Sequence, residues 1–396
     1  MRVIDLPRKQ STSDGNVKPS HWANSNGSAF HNPWPSWRTH GAKDFLTLMV
    51  QLRHLPSVSK DKSQLIPIRT PTWGIGHDAR DKIKSTWLGH ACFLVEMPSR
   101  SSTGGRGARI LFDPVFSDRC SPTQWIGPKR FTSPPCKIEE IPEVDAIVIS
   151  HNHYDHLDTH TIKLLSQRPR TPHFFAPLGN GYFFKSLGIP DSNIHIMDWW
   201  DSKRLEVPTS SDESDKANCV TVDMTCTPAQ HFTGRTPFDR LKSLWASWVV
   251  EEITPSSEHM GGGPSSVSDS KGAKVFFGGD TGYRAVLDGQ NEDEVPVCPA
   301  FKEIGERFDG FNFAMIPIGA YMPRHYMSPI HCAPQDSVRL FKDIQAKRAL
   351  GMHWGTWVLT TEDVVEPPKK LEHECKKLGI EAGAFGVCEI GETMFF

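Results

Sequence analysis

Histidine and aspartate residues are concentrated in one short segment of this sequence, HNHYDH at residues 151–156. The segment directly follows the apolar run 145–150, which is typical of a buried central strand. A loop at the carboxyl end of such a strand is where α/β proteins usually carry functional residues. Imidazole and carboxylate groups bind zinc, and histidines at positions i and i+2 can face one ion. The sequence therefore predicts a metal site, with Asp155 and His156 facing a second ion.

One loop cannot complete two metal sites, so further ligands must come from elsewhere in the chain. Three candidates follow strand-like runs: His231 in TPAQHF, Asp280 in FFGGDTG and His353 in GMHWG. Alone, each of them is more typical of a strand-end cap or a surface group. Together, and in this order after the HNHYDH segment, they favour a site for two metal ions.

Strand-like and helical patterns alternate along most of the chain. Strands are predicted at 85–97, 108–115 and 145–151, and in the segments HFFAP, NCVTVDMTCTPA, LWASWVVEE, AKVFFGGDTG, FAMIPIG and RALGMHW. Helices are predicted at 43–55, 159–167, 179–188, 299–307, 334–346 and 367–378. Two strand-rich halves with late helices indicate an α/β fold: an αββα sandwich of two facing mixed sheets with helices outside.

The ends and insertions of this domain are marked by composition. Residues 1–30 are rich in Ser, Asn and Lys, and we expect a flexible N-terminal tail before a domain at 31–396. Two polar insertions, at 208–218 and 254–272, are predicted to be disordered loops between hairpin strands.

The bulk composition excludes some classes of protein. A formal net charge of -2 over 396 residues does not suggest a protein that binds nucleic acid through phosphate contacts. The cysteines are scattered and form no C-x-x-C pair, which favours a reduced, intracellular protein. No run is apolar enough to cross a bilayer, and the first residues lack the apolar core of a signal peptide.

The segments that flank these candidate ligands resemble those of known metal-dependent hydrolases. HNHYDHLD with the three distant ligands resembles the metallo-β-lactamase superfamily. The segments FHNPWPSW, STWLGHA, FDPVFSDRCSPTQWIGPKRF, MDWWD, TPAQHFTGRT, LWASW, GGDTGY, IPIGAYMPR and HWGTW resemble the N-acylphosphatidylethanolamine-hydrolysing phospholipase D family. This likeness runs from about Phe30 to about Gly391, and the two polar insertions interrupt it.

The resemblance implies a ligand set for two Zn²⁺ ions per chain. One ion is held by His151, His153 and His231, the second by Asp155, His156 and His353, and Asp280 bridges both. Asp155 and Asp280 are also implied as catalytic, together with His331, which lines the site without binding metal. A partly exposed loop histidine is the alternative for His331, and Ile330 stands where the family often has a polar residue.

The same resemblance implies the activity. Hydroxide activated between two zinc ions about 3.5–4 Å apart would hydrolyse N-acylphosphatidylethanolamine to N-acylethanolamine and phosphatidic acid. Such a phospholipid substrate requires peripheral membrane contact, for which segment 34–55 is our candidate. The alternative for this segment is a helix that simply docks on the domain. The family also implies a possible homodimer. From the cysteines and the lack of an apolar span we expect an intracellular protein, in the cytoplasm or attached peripherally to an internal membrane.

Other functions fit the same ligands. A phosphodiesterase or lactonase of this fold could act on a small soluble substrate, and a nuclease is disfavoured by the near-neutral charge. A non-catalytic zinc-binding or lipid-binding protein is a third alternative. Iron or manganese could also occupy a His/Asp site.

Several further residues have a structural and a functional interpretation. For His90, packing or support of a ligand is favoured over direct metal binding. Asp113 is predicted either to hydrogen-bond a ligand histidine or to cap a turn. Asp158 is predicted to be a cap. The alternation in LWASW favours core packing of Trp245 and Trp248 over lipid contact.

Overall fold

Two β-sheets make up the centre of the molecule. The computed structural model describes residues 1–8, 18–58, 64, 66–77, 79–99, 105–208, 219–254 and 272–396. The strands are β1 (Arg2–Asp5), β2 (Lys84–Trp87), β3 (Phe93–Glu96), β4 (Arg109–Phe112), β5 (Ala146–Val148), β6 (His173–Pro177), β7 (Ile194–Met197), β8 (Ser202–Pro208), β9 (Cys219–Thr227), β10 (Ser247–Ile253), β11 (Lys274–Phe277), β12 (Phe313–Pro317), β13 (Ala349–Met352), β14 (Phe385–Gly386) and β15 (Thr393–Phe395). The α-helices are α1 (Ala42–Gln51), α2 (Thr159–Ser166), α3 (Gly181–Ser186), α4 (Ala300–Phe308), α5 (Arg324–Met327), α6 (Pro334–Asp343) and α7 (Glu366–Lys377). Short 3-10 helices lie at Leu52–His54, Ile138–Glu140 and Asp191–Asn193.

Both sheets are mixed, as predicted. The first has the strand order β1-β8-β9-β10-β11-β12-β13-β14, and the second has the order β15-β2-β3-β4-β5-β6-β7. Strands β11 to β14 are parallel in the first sheet, and β4 to β7 are parallel in the second. The remaining neighbours are antiparallel.

Side chains from the two sheets interlock in the middle of the molecule. The rings of Phe112 in β4 and Phe277 in β11 lie 4.7 Å apart. The adjacent residue Phe276 points to the opposite face and packs with Ile304 of α4. Because side chains alternate along a strand, each sheet contributes to the central core and to one outer layer of helices. The αββα sandwich is therefore confirmed.

Parallel strands deliver the candidate ligands to one edge of this sandwich. Strand β5 ends just before the 151–156 segment, β11 ends three residues before Asp280, and β13 ends directly before His353. The carboxyl ends of parallel strands lie at the same edge of a sheet, where α/β proteins build their sites. The two facing sheets thus bring their loops together.

Segment 85–97, predicted as one strand-like run, is a hairpin. Strands β2 and β3 pair antiparallel, and the turn between them places Gly89 at φ 99° and His90 at φ 51°. Apolar residues on both sides of Gly89 and His90 concealed the turn, although glycine and, among other residues, histidine are types that adopt positive φ. The short or edge strands β1, β7, β8, β14 and β15 were also missed, because their sequences are too short or too polar to stand out.

The expectation that residues 1–30 form a flexible tail is wrong for the part of the segment that the structure describes. Strand β1 pairs with β8, with Val3 opposite Leu205. Phe30 is buried in the central core, and His21 is bonded to Asp198 at 2.6 Å. A few anchoring residues hold this otherwise polar segment, and composition does not reveal them. Residues 9–17 lie outside the described residues.

The two predicted insertions also lie almost wholly outside the described residues, at 209–218 and 255–271. The strands on either side agree with the prediction, since β8 pairs antiparallel with β9 and β10 pairs antiparallel with β11. Each insertion therefore joins neighbouring hairpin strands, and its disorder stays a prediction.

Candidate metal centre

Eight side chains converge where the loops of the two sheets meet, and we call them the histidine cluster. They are His151, His153, Asp155, His156, His231, Asp280, His331 and His353. Every residue that the sequence analysis named as a ligand or catalytic group is among them. Most of them are buried, and the others are half-buried.

The first group of potential ligand atoms belongs to His151, His153, His231 and Asp280. Nδ1 of His153 lies 2.9 Å from Nε2 of His151 and 3.3 Å from Nε2 of His231. Oδ2 of Asp280 lies 3.7 Å from Nε2 of both His151 and His231. Tetrahedral zinc with bonds of about 2.0–2.1 Å requires ligand atoms about 3.3 Å apart. These separations fit one ion.

The second group lies on the other side of Asp280. Oδ2 of Asp155 lies 3.5 Å from Nε2 of His156 and 3.5 Å from Nε2 of His353. Asp280 approaches the same two rings, with Oδ2 at 3.1 Å from His156 and Oδ1 at 3.0 Å from His353. One carboxylate therefore faces both groups, which is the arrangement that a bridging ligand needs.

Several buried atoms of the cluster have no hydrogen-bond partner among the described residues. They are Nε2 of His156, both ring nitrogens of His353, Nδ1 of His331 and Oδ1 of Asp280. Asp280 approaches the rings of His156 and His353 at ion-pair distance but without hydrogen-bond geometry. Buried polar atoms in folded proteins are almost always paired. Metal ions would satisfy the lone pairs of Nε2 in His156 and His353 and of Oδ1 in Asp280, and a donor set of imidazole and carboxylate matches zinc. The residues therefore fit two metal ions.

Burial and charge set the protonation of the cluster. Burial lowers the pKa of His151 well below its ordinary value and lowers the pKa of His231 to about 3. Burial also disfavours the charged form of His353, but the Asp280 and Asp155 carboxylates outweigh it and raise that pKa to about 9. A neutral imidazole offers a lone pair to a metal. The rings of His151 and His231 are therefore ready to bind.

Hydrogen bonds from the surrounding chain orient the rings. Nδ1–H of His156 donates to Asp113 at 2.7 Å, and Nδ1–H of His231 donates to the carbonyl oxygen of Ile330 at 2.7 Å. Asp113 also accepts from the backbone N–H of Ser150 at 2.7 Å. Such contacts fix the tautomer and leave Nε2 free to bind metal. Of the two roles predicted for Asp113, the structure shows the bond to a candidate ligand histidine, His156.

His90 lies against the cluster from the β2–β3 turn. Its Nε2–H donates to Oδ2 of Asp155 at 3.0 Å, and its ring lies 4.0 Å from that of His353. This contact fits the predicted supporting role, because the nitrogen that faces the cluster is already used on the carboxylate.

Two other predictions are confirmed. Asp158 caps α2, where its side chain accepts from the backbone N–H of His160 at 3.1 Å. Trp245 and Trp248 are fully buried in the central core, so their spacing reflects packing.

Two residues that contact the cluster were missed by sequence reasoning. Nδ2 of Asn32 donates to the carbonyl oxygen of His231 at 2.7 Å. Arg235 donates from its guanidinium to the carbonyls of Asn152 and Leu157. Both residues lie in segments that carried the family resemblance, FHNPWPSW and TPAQHFTGRT, which was the available signal. Residue spacing alone does not indicate which distant carbonyl a side chain will reach.

Comparisons with known proteins agree with this geometry. A model of the beta-lactamase superfamily domain matches residues 108–354. The chain is 32% identical to N-acyl-phosphatidylethanolamine-hydrolyzing phospholipase D 1 of Caenorhabditis elegans over 358 residues, 88% of this chain and 86% of that protein. It is 30% identical over 406 residues to the mitochondrial N-acyl-phosphatidylethanolamine-hydrolyzing phospholipase D of Saccharomyces cerevisiae, 93% of this chain and 75% of that protein. The chain belongs to the N-acyl-phosphatidylethanolamine-hydrolysing phospholipase D family.

Solved structures show the same fold. A possible metal-dependent hydrolase from Veillonella parvula has a TM-score of 0.51 at 17% identity, covering 78% of this chain and 98% of that one. As a member of this phospholipase D family, the chain is a metal-dependent hydrolase, as predicted. Within the described ranges, no helix is long and apolar enough to span a membrane.

Proposed function

We propose that the chain is a zinc-dependent phosphodiesterase that hydrolyses N-acylphosphatidylethanolamine to N-acylethanolamine and phosphatidic acid. The complete histidine cluster carries this proposal, since both groups of donor atoms are present and Asp280 faces both. The two phospholipase D relatives that are named for this lipid support the choice of substrate.

The ligand roles follow from the two groups. His151, His153 and His231 would hold one zinc ion, Asp155, His156 and His353 the other, and Asp280 would bridge them. When bound, two zinc ions supply hydroxide at neutral pH and positive charge that offsets the charge developing on the phosphate. Asp113 and the Ile330 carbonyl keep the rings of His156 and His231 turned toward the centre.

His331 has a separate role in this proposal. Its Nδ1 lies 3.9 Å from Oδ2 of Asp280 and has no hydrogen-bond partner among the described residues. An imidazole N–H at this position could donate to a phosphate oxygen of the substrate, whose negative charge strengthens such a bond. The adjacent Ile330 is apolar, so it offers only its carbonyl, which His231 already uses.

Access to a phospholipid requires contact with a bilayer, and α1 is one candidate surface. Its Leu48 packs with Ile330, the neighbour of His331. The same helix exposes Leu46, Met49 and Val50, with Leu46 67% exposed. Apolar side chains that face water next to a site are typical of an interfacial helix.

Two loops near the cluster also expose apolar side chains. Trp125 is 89% exposed with Ile126 beside it, and Phe238 is 84% exposed. The loop of Trp125 lies near the 151–157 loop, because Cys120 and Tyr154 belong to the same apolar cluster, together with Val115 and Trp357. The loop of Phe238 reaches it through Arg235, which lies over the Tyr154 ring. We therefore propose that α1 and both loops touch the membrane around the site.

Hydrolysis of N-acylphosphatidylethanolamine vesicles by the purified, zinc-loaded protein tests the activity, with His153→Ala as the control. Release of N-acylethanolamine and phosphatidic acid by the wild type alone is the expected result. A protein that carries zinc and cleaves a generic phosphodiester, yet releases nothing from these vesicles, would act on a small soluble substrate instead. Vesicle binding without any turnover would indicate a non-catalytic lipid-binding protein.

Vesicle sedimentation tests the membrane surface. Deleting residues 1–55 is unsuitable, because it removes β1 and the Asn32 contact to His231. Leu46→Ser with Met49→Ser, and separately Trp125→Ser, should instead weaken binding to phospholipid vesicles. Ile75→Ser, at an equally exposed residue outside this surface, is the matched control. Unchanged vesicle binding by both sets of variants would refute the proposal that this surface contacts the membrane.

A further inference from the structure

Arg235 joins the two loops that carry most of the candidate ligands. It follows His231 by four residues, and its side chain reaches across to the 151–157 loop. Nε donates to the backbone carbonyl of Asn152 at 2.6 Å, and Nη2 donates to the backbone carbonyl of Leu157. The two carbonyls bracket His153, Asp155 and His156.

The 151–157 loop needs these donors. It leaves the sheet after β5, so the strand ladder cannot satisfy its backbone groups. Asn152 and Leu157 are almost completely buried, and buried carbonyls require a hydrogen-bond donor. A guanidinium is planar and carries five N–H donors in a fixed geometry. It can therefore hold two carbonyls at a set separation, which a single ammonium group cannot do.

Further contacts fix the guanidinium itself. Its central carbon lies 4.4 Å from the centre of the Tyr154 ring and 4.5 Å from the centre of the Phe183 ring in α3. The adjacent Gly234 donates its backbone N–H to Oδ1 of Asn152 at 3.0 Å. Two kinds of hydrogen bond thus join the loops: the Arg235 side chain binds backbone carbonyls, and the Gly234 backbone binds the Asn152 side chain. Neither loop can shift against the other without breaking both connections.

We propose that Arg235 is a positioning residue that fixes the separation between the 151–157 loop and His231, and thereby the geometry of the metal centre. The inference rests on the proposed zinc site and adds a residue that gives no atom to the metal. Nδ1 of His153 lies within 3.3 Å of Nε2 of His231, so the ligands meet across this joint. The zinc affinity of the group formed by His151, His153, His231 and Asp280 should therefore depend most on Arg235.

Zinc affinity measured against graded chelator, with the visible spectrum of the Co²⁺-substituted protein, tests this role without any lipid. Arg235→Gln should weaken the binding of one of the two ions by about 10- to 100-fold and alter the Co²⁺ spectrum. The zinc affinity of Arg235→Lys should lie between those of the wild type and Arg235→Gln, because an ammonium keeps the ring contacts and reaches one carbonyl. Lys242→Gln removes an exposed charge from the same segment and should match the wild type. Ile304→Ala, on the buried face of α4, controls for general destabilisation.

The outcomes separate this inference from the proposed function. Wild-type zinc binding and Co²⁺ spectrum in folded Arg235→Gln would overturn the positioning role and leave the metal centre intact. A wild-type protein that binds no zinc would overturn both. If Ile304→Ala loses zinc as Arg235→Gln does, the effect is general destabilisation and the inference fails. Should Arg235→Gln not fold, Arg235→Lys decides: about a tenfold loss of affinity supports the role, and unchanged affinity overturns it.

Discussion

Two buried polar clusters meet at the segment that carries His331, and they differ in whether their charges are balanced. One is the histidine cluster. The other, which we call the arginine cluster, consists of Arg284, Glu292, Arg324 and Asp336. His331 lies between α5, which contributes Arg324, and α6, which contributes Asp336.

The arginine cluster is balanced by its own members. Asp336 is paired with Arg284 at 2.7 Å and with Arg324 at 2.7 Å. Glu292 is paired with the same two guanidinium groups at 3.0 Å each. Burial disfavours the ionised form of Glu292, but the hydrogen bonds from Arg324 outweigh it and lower its pKa to about 2. Nη1 of Arg324 has no hydrogen bond among the described residues, but it lies 2.7 Å from Asp336, and two cations with two anions need no further ligand.

The histidine cluster is not balanced in this way. Its imidazoles and carboxylates are mainly acceptors, and five of its buried nitrogen and oxygen atoms have no partner among the described residues. Comparing the two clusters shows how a binding site is distinguished from a structural ion-pair network. A buried polar cluster whose opposite charges match is structural, whereas one with an excess of acceptor atoms indicates a cation-binding site.

The sharpest test of this difference is the carboxylate that faces both ligand groups. Asp280→Asn should lower the rate of lipid hydrolysis by at least about a thousandfold, because an amide cannot bridge two cations. Zinc per chain should fall with it, measured by atomic emission on protein that has the wild-type circular dichroism spectrum. Asp288→Asn, at an exposed site, serves as the control. Turnover that persists in metal-stripped protein would refute the metal-dependent mechanism.

The matching change in the arginine cluster should affect stability and leave zinc in place. Asp336→Asn leaves Arg284 and Arg324 without half of their counter-charge, which should lower the free energy of unfolding by about 3–5 kcal/mol. Denaturant titration checks this, and zinc per chain should stay at the wild-type value. Asp293→Asn, at the exposed rim of the same cluster, should change little. Loss of zinc with unchanged stability would mean that the arginine cluster supports metal binding rather than folding.

Of the two clusters, only the histidine cluster could be predicted from local sequence. The HNHYDH segment directly follows a run that folds as β5, and Asp280 and His353 follow β11 and β13. Because parallel strands end at one edge, local patterns were enough to predict that these residues meet. Their binding of zinc stays a prediction.

What the sequence analysis missed depends on contacts between distant segments. Arg235 reaches Leu157 across 78 residues. Neither hydrophobic periodicity nor residue type encodes such a pairing, since it follows from how the loops pack. The β1 strand, only four residues long, was hidden for the same reason: its pairing with β8 spans about half the chain.

Removing metal by chelation tests how much bound zinc contributes to the free energy of unfolding. With zinc at about a hundredfold its Kd, chelation should lower the free energy of unfolding by about 2.7 kcal/mol per site that empties. Zinc added back should restore it. In Asp280→Asn protein the chelator should have little further effect, whereas in Asp336→Asn protein its full effect should remain. Denaturant curves that are identical with and without chelator would contradict the prediction.

The smallest effect is expected where the N-terminal segment meets the cluster. Asn32→Ala removes the donor to the His231 carbonyl, which should lower the free energy of unfolding by about 1 kcal/mol. Because the carbonyl belongs to a candidate ligand, zinc affinity should also fall, by about tenfold. Asn26→Ala, in an exposed turn of the same segment, should leave zinc affinity unchanged. If both variants bind zinc equally well, the N-terminal segment contributes to folding alone and the metal centre is complete without it.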